Sequence, residues 1–357
     1  MDQHQCVKEK RIMNRRQFLR ATTFAAGSAL AASIASKAPA YALNLNQSPG
    51  ELKVGLFAGS DAEQTKKTVE PFRAYMEKTL GIPVTLQTGT SYSAVIEAMR
   101  NKFVDAMEVG PFAHVLASSQ MKIDPLSLGI YPRVPRGGTA VYNPKESPFY
   151  YSVIITRKGS GINTVADLKG KKFAFVDPAS TSGHLMPRTA LLKAGVDPAK
   201  DAEVIFAGSH PSAVIAVANG KVDAGATFEQ NLIDMTNNGQ IDGCIFADGI
   251  NRRRTQTEIN LRLNACKEGQ LAIIQYSDPI PNTPFGVRDE LPPQFKAAMK
   301  EATLKVREDA GLVAAYRQWY VDPVKEFPTL KLKNVDSFYN GLRDAARLLK
   351  LDLSTMR

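Results

Sequence analysis

Asp177-Pro178-Ala179-Ser180-Thr181-Ser182-Gly183-His184 is the stretch on which the reading of this chain turns. The apolar run Phe173-Ala174-Phe175-Val176 stands directly before it, and apolar spacing through Leu185 to Leu191-Leu192 follows. A strand, a tight turn carrying three hydroxyls and a glycine, and then a helix are expected. Hydroxyls beside the free N–H groups of a helix start form a cup of donors, and the positive end of the helix dipole favours an anion. Ser and Thr are also the ordinary N-cap residues. The local pattern therefore admits two readings, a plain cap or a site for a tetrahedral oxyanion.

Working outward, strand and helix patterns alternate. Leu52-Lys53-Val54-Gly55-Leu56 reads as a strand. Val69, Phe72, Met76 and Leu80 recur at helical spacing until Gly81 and Pro83 stop them. Val84-Thr85-Leu86 is the next strand, 93–101 a helix, and 104–107 a strand again. Tyr151 to Thr156 alternates like a strand. Val165 to Leu168 is a helical turn before the strand at Lys172–Val176. Helical spacing returns at Phe295, Met299, Ala302 and Val306, and Trp319 is expected as a core residue of a tail helix. Such alternation predicts an α/β protein with mostly parallel sheets.

One unit repeats. Ser93-Ala94-Val95-Ile96 recurs as Ser212-Ala213-Val214-Ile215, and each leads to Val-Asp-Ala, at 104–106 and at 222–224. Chance likeness between apolar helices explains part of this; agreement at both ends of the unit is the better evidence. A helix-then-strand unit in each of two lobes fits, with both helix starts facing a shared cleft. Tyr92 and His210 stand just before the two helices.

The first 42 residues read as an address. Asn14-Arg15-Arg16-Gln17-Phe18-Leu19-Arg20 carries twin arginines, a small and mildly apolar run extends from Ala21 to Ser36, and Ala38-Pro39-Ala40 or Ala40-Tyr41-Ala42 offers a cleavage site. This is the layout of a twin-arginine export signal. The run is too short and too rich in Ala, Ser and Thr to span about 30 Å of hydrocarbon. Cys6 lies upstream of the arginines, out of place for a lipoprotein cysteine.

Removal of this segment changes the charge argument. The chain has 45 Lys+Arg and 35 Asp+Glu, net +10. Residues 1–42 hold seven of the basic and two of the acidic residues, so the remainder carries 38 against 33, a net of +5. Much of the basicity is targeting signal, and a nucleic-acid partner loses its main support. Arg252-Arg253-Arg254 has no interleaved aromatics and is expected as a solvated loop. The remaining length suffices for two compact lobes. Cys244 and Cys266 are left after processing, either bridged, as an exported protein permits, or as two free thiols.

Together these pieces resemble the periplasmic binding proteins of phosphonate-, phosphite- and phosphate-type ABC transporters. The resemblance rests on Tyr92-Ser-Ala-Val-Ile-Glu-Ala-Met, Val104-Asp-Ala with Gly110-Pro111, Tyr150-Tyr151-Ser152-Val153, the Asp177–Gly183 stretch, Gly208-Ser209-His210 and Val222-Asp-Ala. It implies a two-lobed type II binding-protein fold with two crossovers and the ligand in the interlobe cleft. Lobe 1 would comprise 48–153 and 282–357, and lobe 2 would comprise 154–281 with an insertion near 238–270 that holds both cysteines. It also implies Ser180, Thr181 and Ser182 as donors to phosphoryl oxygens, with Tyr92, Tyr150 and His210 as further ligands. The implied setting is the periplasm, and the implied partners are a small phosphorus oxyanion, a membrane permease and the twin-arginine export machinery. No cofactor or metal is expected.

One departure bears on the ligand. Family members that take aminoalkyl phosphonates place two carboxylates around the amine. The first matches Glu229, if one gap is allowed, but the second falls in Pro281-Asn282-Thr283-Pro284, where this chain has Thr283. A threonine cannot balance an ammonium charge, so phosphite, methylphosphonate or phosphate is expected. Glu229 then either accepts the proton of a monoprotonated oxyanion or is a plain exposed residue. Enzyme patterns are thin: no His-Glu-x-x-His, phosphate-binding loop or Gly-x-Ser-x-Gly occurs. Ser182 with His210 also describes a nucleophilic pair. An enzyme, or a sensor's ligand-binding module, on the same scaffold is therefore the second reading.

Overall fold

The computed structural model describes residues 48–59 and 61–355; the expected export signal, 1–42, lies outside them. Chain order begins β1 (Leu52–Phe57), α1 (Ala62–Leu80), β2 (Val84–Gly89), α2 (Tyr92–Arg100), β3 (Ala106–Glu108), α3 (Pro111–Gln120) and β4 (Ile123–Ile130). Then come β5 (Phe149–Tyr150), β6 (Ser152–Arg157), β7 (Lys172–Phe175), a π turn over Thr181–Leu185, α4 (Met186–Lys193), β8 (Glu203–Phe206), α5 (His210–Ala218) and β9 (Ala224–Phe228). The second half continues with α6 (Glu229–Asn237), β10 (Gly243–Cys244), α7 (Gln256–Ala265) and β11 (Leu271–Tyr276). The chain closes through β12 (Ile280–Pro281), β13 (Pro284–Arg288), α8 (Pro293–Lys305), α9 (Ala310–Tyr316), β14 (Trp319–Val321), α10 (Pro323–Glu326) and α11 (Asn340–Leu348).

Two six-stranded sheets form, ordered β14-β4-β13-β3-β1-β2 and β10-β11-β6-β9-β7-β8. In each, three parallel strands (β2-β1-β3 and β8-β7-β9) meet an antiparallel strand, β13 or β6. Beyond that strand the pairing of β4 and β14, and of β6 with β11, is also antiparallel. The expectation of mostly parallel sheets is thus corrected to mixed sheets. The physical reason is the path of the chain: it crosses between sheets through β5 and returns through β12, which pair antiparallel with each other. A strand that enters a sheet by such a crossing need not follow a right-handed βαβ path.

The repeated unit has a structural counterpart. Ser91 caps α2, accepting from the Ala94 N–H at 3.1 Å, and Ser209 caps α5, accepting from the Ser212 N–H at 3.2 Å. Tyr92 and His210 are each the first residue of their helix. In the Val-Asp-Ala segments, Asp105 accepts from the Lys53 N–H at 2.9 Å and Asp223 from the Lys172 N–H at 2.8 Å. Each carboxylate pins the start of the leading parallel strand, β1 or β7. The aspartate therefore stands between two apolar residues for a backbone reason.

Apolar pattern explains the burial. Val153 and Ile155 pack on one face of the second sheet with Val176 and Val214, while Ile154 joins Phe173 and Phe175 on the other. A strand covered on both faces reads as an apolar run. Around the first sheet, Phe72 and Met76 of α1 and Phe295 and Met299 of α8 share a core with Phe285 and Trp319. Trp319 is core as expected, but it lies in β14 rather than in a helix. Among the described residues no helix is long and apolar enough to cross a membrane.

Candidate functional site

The carboxyl ends of β1, β3 and β9 and the first residues of several helices meet at one cavity of about 270 Å³, just below the roughly 300–1,000 Å³ usual for small-molecule sites. All eight residues expected from the sequence, Tyr92, Tyr150, Ser180, Thr181, Ser182, His210, Glu229 and Thr283, lie in its walls. So do Phe57, Glu108, Tyr131, Arg133, Phe228 and Asn251. Strand ends feeding helix starts are where α/β folds concentrate free N–H groups. Here α2, α5 and α6 begin at Tyr92, His210 and Glu229, α3 is capped at Gly110, and the π turn is capped at Ser180. The positive ends of their dipoles are at the cavity.

The turn after β7 is held from three sides. Ser180 Oγ accepts from the Gly183 N–H at 3.0 Å, and Thr181 Oγ1 accepts from the Phe112 N–H of α3 at 2.7 Å. Each hydroxyl keeps its own proton to donate. Ser152 donates to the Ser182 carbonyl at 2.6 Å. Gly183 is required by close approach: a Cβ there would lie 2.4 Å from the Val176 side chain and 2.8 Å from Ser180 Oγ. Ser180, Thr181 and Ser182 are at most 2% exposed.

The aromatic and imidazole donors are neutral. Burial raises Tyr92 far above its ordinary range, with Tyr150 and Asp177 adding to the effect. Burial pushes Tyr150 up to about 12 against the opposing Ser182 and Thr181 hydroxyls. Burial drives His210 down to about 3. Its Nδ1 lies 3.2 Å from Thr227 Oγ1, which itself accepts from Asn231 Nδ2 at 3.0 Å. Thr227 keeps its own proton and can donate it to Nδ1, an arrangement in which Nε2 carries the hydrogen.

Three charges stand in the wall. Glu108 accepts from the hydroxyls of Tyr131, Tyr316 and Tyr320, each at 2.9 Å, and from Gln318 Nε2. Glu229 accepts from Arg133 Nη1 at 2.6 Å and from the Tyr276 hydroxyl. Glu229 is 5% exposed, which overturns the exposed-residue alternative. Burial raises its pKa, and the Arg133 charge is the largest opposing influence. Arg133 brings a guanidinium to the wall, and its charge is matched by Glu229.

The segment expected as an insertion reaches the cavity. Cys244 and Cys266 are joined by a disulfide, Cα–Cα 5.6 Å, at a separation of 22 residues. Between them the carbonyls of Phe246 and Ile250 accept from Arg133, the latter at 3.0 Å, and Asn251 Nδ2 donates to the Phe149 carbonyl at 3.0 Å. The triple arginine lies in a loop as expected, with the Arg252 and Arg253 side chains 44% and 51% exposed, but its third member is buried. Arg254 is 2% exposed and bonded twice to Asp248, at 2.6 and 2.7 Å, while Arg252 pairs with Glu258 and Arg253 with Asp278. The sequence reading missed Arg133 because Tyr131-Pro132-Arg133-Val134-Pro135 has no period. Glu108 carried a usable signal, a lone carboxylate at the end of an apolar strand.

Four likenesses to known proteins agree. A family model described as "ABC transporter, phosphonate, periplasmic substrate-binding protein" matches residues 54–327. The "Phosphate-import protein PhnD" of Mycolicibacterium smegmatis is 28% identical over 316 residues, covering 83% of this chain and 84% of that protein. The Escherichia coli "Phosphonates-binding periplasmic protein" is 29% identical over 185 residues, 51% of each chain. The solved structure of PhnD1 from Prochlorococcus marinus in complex with methylphosphonate superposes with a TM-score of 0.62 at 20% identity, covering 85% of this chain and 99% of that one. The fold is accordingly that of the two-lobed type II periplasmic binding proteins. On the family match across most of its length, this chain belongs to the periplasmic substrate-binding proteins of phosphonate ABC transporters.

Proposed function

We propose that the protein is exported by the twin-arginine route and captures a phosphorus oxyanion that bears no amine: methylphosphonate, phosphite or phosphate. Ser180, Thr181 and Ser182 donate to the phosphoryl oxygens, joined by Tyr92, Tyr150 and the Nε2–H of His210. Thr283 and Glu229 border the ligand. Residues 48–153 with 282–357 act as one lobe and 154–281 as the other, and closure about the β5–β12 ribbon presents the loaded protein to its permease. No covalent chemistry occurs. The names of the relatives support the ligand class. The observation that carries the reading is the convergence of neutral donors and helix starts on one small cavity.

The magnitudes are adequate. Hydrogen bonds to a charged group contribute about 1.5–3 kcal/mol each, and micromolar affinity requires about 8 kcal/mol. Five or six contacts supply that after ordering and desolvation costs. The test is a thermal-shift and calorimetric panel of methylphosphonate, phosphite, phosphate and sulfate on the chain lacking residues 1–42. A ligand at a hundred times its Kd stabilises by about 2.7 kcal/mol, so at least one phosphorus oxyanion should raise Tm by several degrees. Failure of all three, or an equal response to sulfate, ends the reading. Phosphorus NMR of the incubated mixture should show unaltered ligand. Replacing Arg15 and Arg16 by lysine should block export.

A further inference from the structure

Among the described residues Arg133 is the one arginine or lysine in the cavity wall, and its position is built from both sheets. It lies in the segment after β4 of the first sheet and is 9% exposed. Its partners all belong to the second: Glu229 at the start of α6, and the carbonyls of Phe246 and Ile250. The partners are themselves fixed. Arg254 ties Asp248 and the Ile250 carbonyl, at 2.9 Å, into one loop, and the disulfide anchors the segment beyond each end. Tyr276 donates to the same Glu229 oxygen that Arg133 uses.

A buried carboxylate requires a positive partner, and removal of one member of such a pair is costly because the other is left uncompensated. Glu229 is therefore a cation-binding position in a cleft otherwise shaped for an anion. In this chain the protein fills that position itself. We propose that Arg133 is a specificity-determining residue, an internal guanidinium that occupies the cation position on Glu229 and so excludes ligands pairing a phosphonate with an ammonium group. A zwitterionic ligand would have to displace a bonded guanidinium held by three acceptors, and would leave that charge buried. A phosphonate with an uncharged substituent meets no such conflict.

The inference rests on the oxyanion reading of the same cleft, and its test separates the two. Kd values are measured for methylphosphonate, n-propylphosphonate and 2-aminoethylphosphonate, the last two matched in size and differing in charge. The native protein should bind 2-aminoethylphosphonate at least tenfold more weakly than n-propylphosphonate. Arg133→Ala should tighten 2-aminoethylphosphonate at least tenfold; Arg133→Lys, which keeps a cation there, should not. Arg133→Gln, which retains amide donors for the two carbonyls, serves if the alanine variant lacks a cooperative melt. The gain should vanish when Glu229→Gln is added. Equal native affinity for the size-matched pair, exclusion of both alike, a folded Arg133 variant with no gain, or a gain that survives Glu229→Gln would each overturn the inference. Failure of the native protein to bind any phosphonate or phosphite would instead overturn the oxyanion reading.

Discussion

His210→Gln isolates a single buried imidazole. In the folded chain burial holds His210 at about 3, whereas in the unfolded chain it titrates near 6.5. Between those values the unfolded state binds the additional proton. Stability is therefore complete above about pH 6.5 and falls as the pH is lowered toward 3. With about 1.4 kcal/mol per pH unit, a change from pH 7 to pH 5 costs about 2 kcal/mol through His210 alone. His184, pushed down to about 4 by burial, has the same sign over this interval. Glu229, whose pKa is raised, acts in the opposite direction, but it is common to both proteins and cancels in the comparison. Glutamine can keep a hydrogen bond to Thr227 without titrating. Urea unfolding of the chain lacking residues 1–42, at pH 7, 6 and 5, gives the two slopes. The native protein should lose about 2 kcal/mol more than His210→Gln between the extremes. Parallel slopes would refute a neutral, buried His210, and with it the Nε2–H donor assigned above.

Ser180→Ala removes the cap on the π turn and, on the proposed function, a donor to the ligand; unfolding should show a loss of about 1 kcal/mol, and phosphonate Kd should rise by about ten- to a hundredfold. Gly183→Ala forces a methyl group to within 2.4 Å of Val176, so a loss of about 1–3 kcal/mol in Tm-derived stability and of ligand response is expected. Reduction of Cys244–Cys266 releases a loop of 22-residue separation, worth about 3 kcal/mol by chain entropy. It should lower Tm, a shift that Cys244→Ser with Cys266→Ser reproduces without reductant.

Much of the architecture was legible because it is written in local periodicity. The helix ending at Gly81, the strand at Leu52 and the helix through Phe295 declare themselves by apolar spacing and stop signals. Other elements did not. Helix α3 is buried along seven successive residues from Pro111 to Ala117 and so shows no amphipathic stripe. The first two turns of α1, Ala62 to Thr68, are polar and precede the apolar repeat that marks the rest of the helix. Strand direction was also misread, because pairing sense is a property of the chain's route between sheets.

The amino-acid order by itself determined the hydroxyl-rich turn, the repeated helix-then-strand unit and the family likeness, since each depends on residues close in sequence. Convergence of Tyr92, Tyr150, the Ser180–Ser182 turn, His210 and Thr283 on one cavity was already implied by that likeness. Only the tertiary structure decided the charges around them. Tyr316, Gln318 and Tyr320 reach Glu108 at sequence separations of 208, 210 and 212, and Arg133 meets Glu229 at a sequence separation of 96. Burial and pairing of ionisable groups are set by such long-range neighbours, which no local pattern encodes.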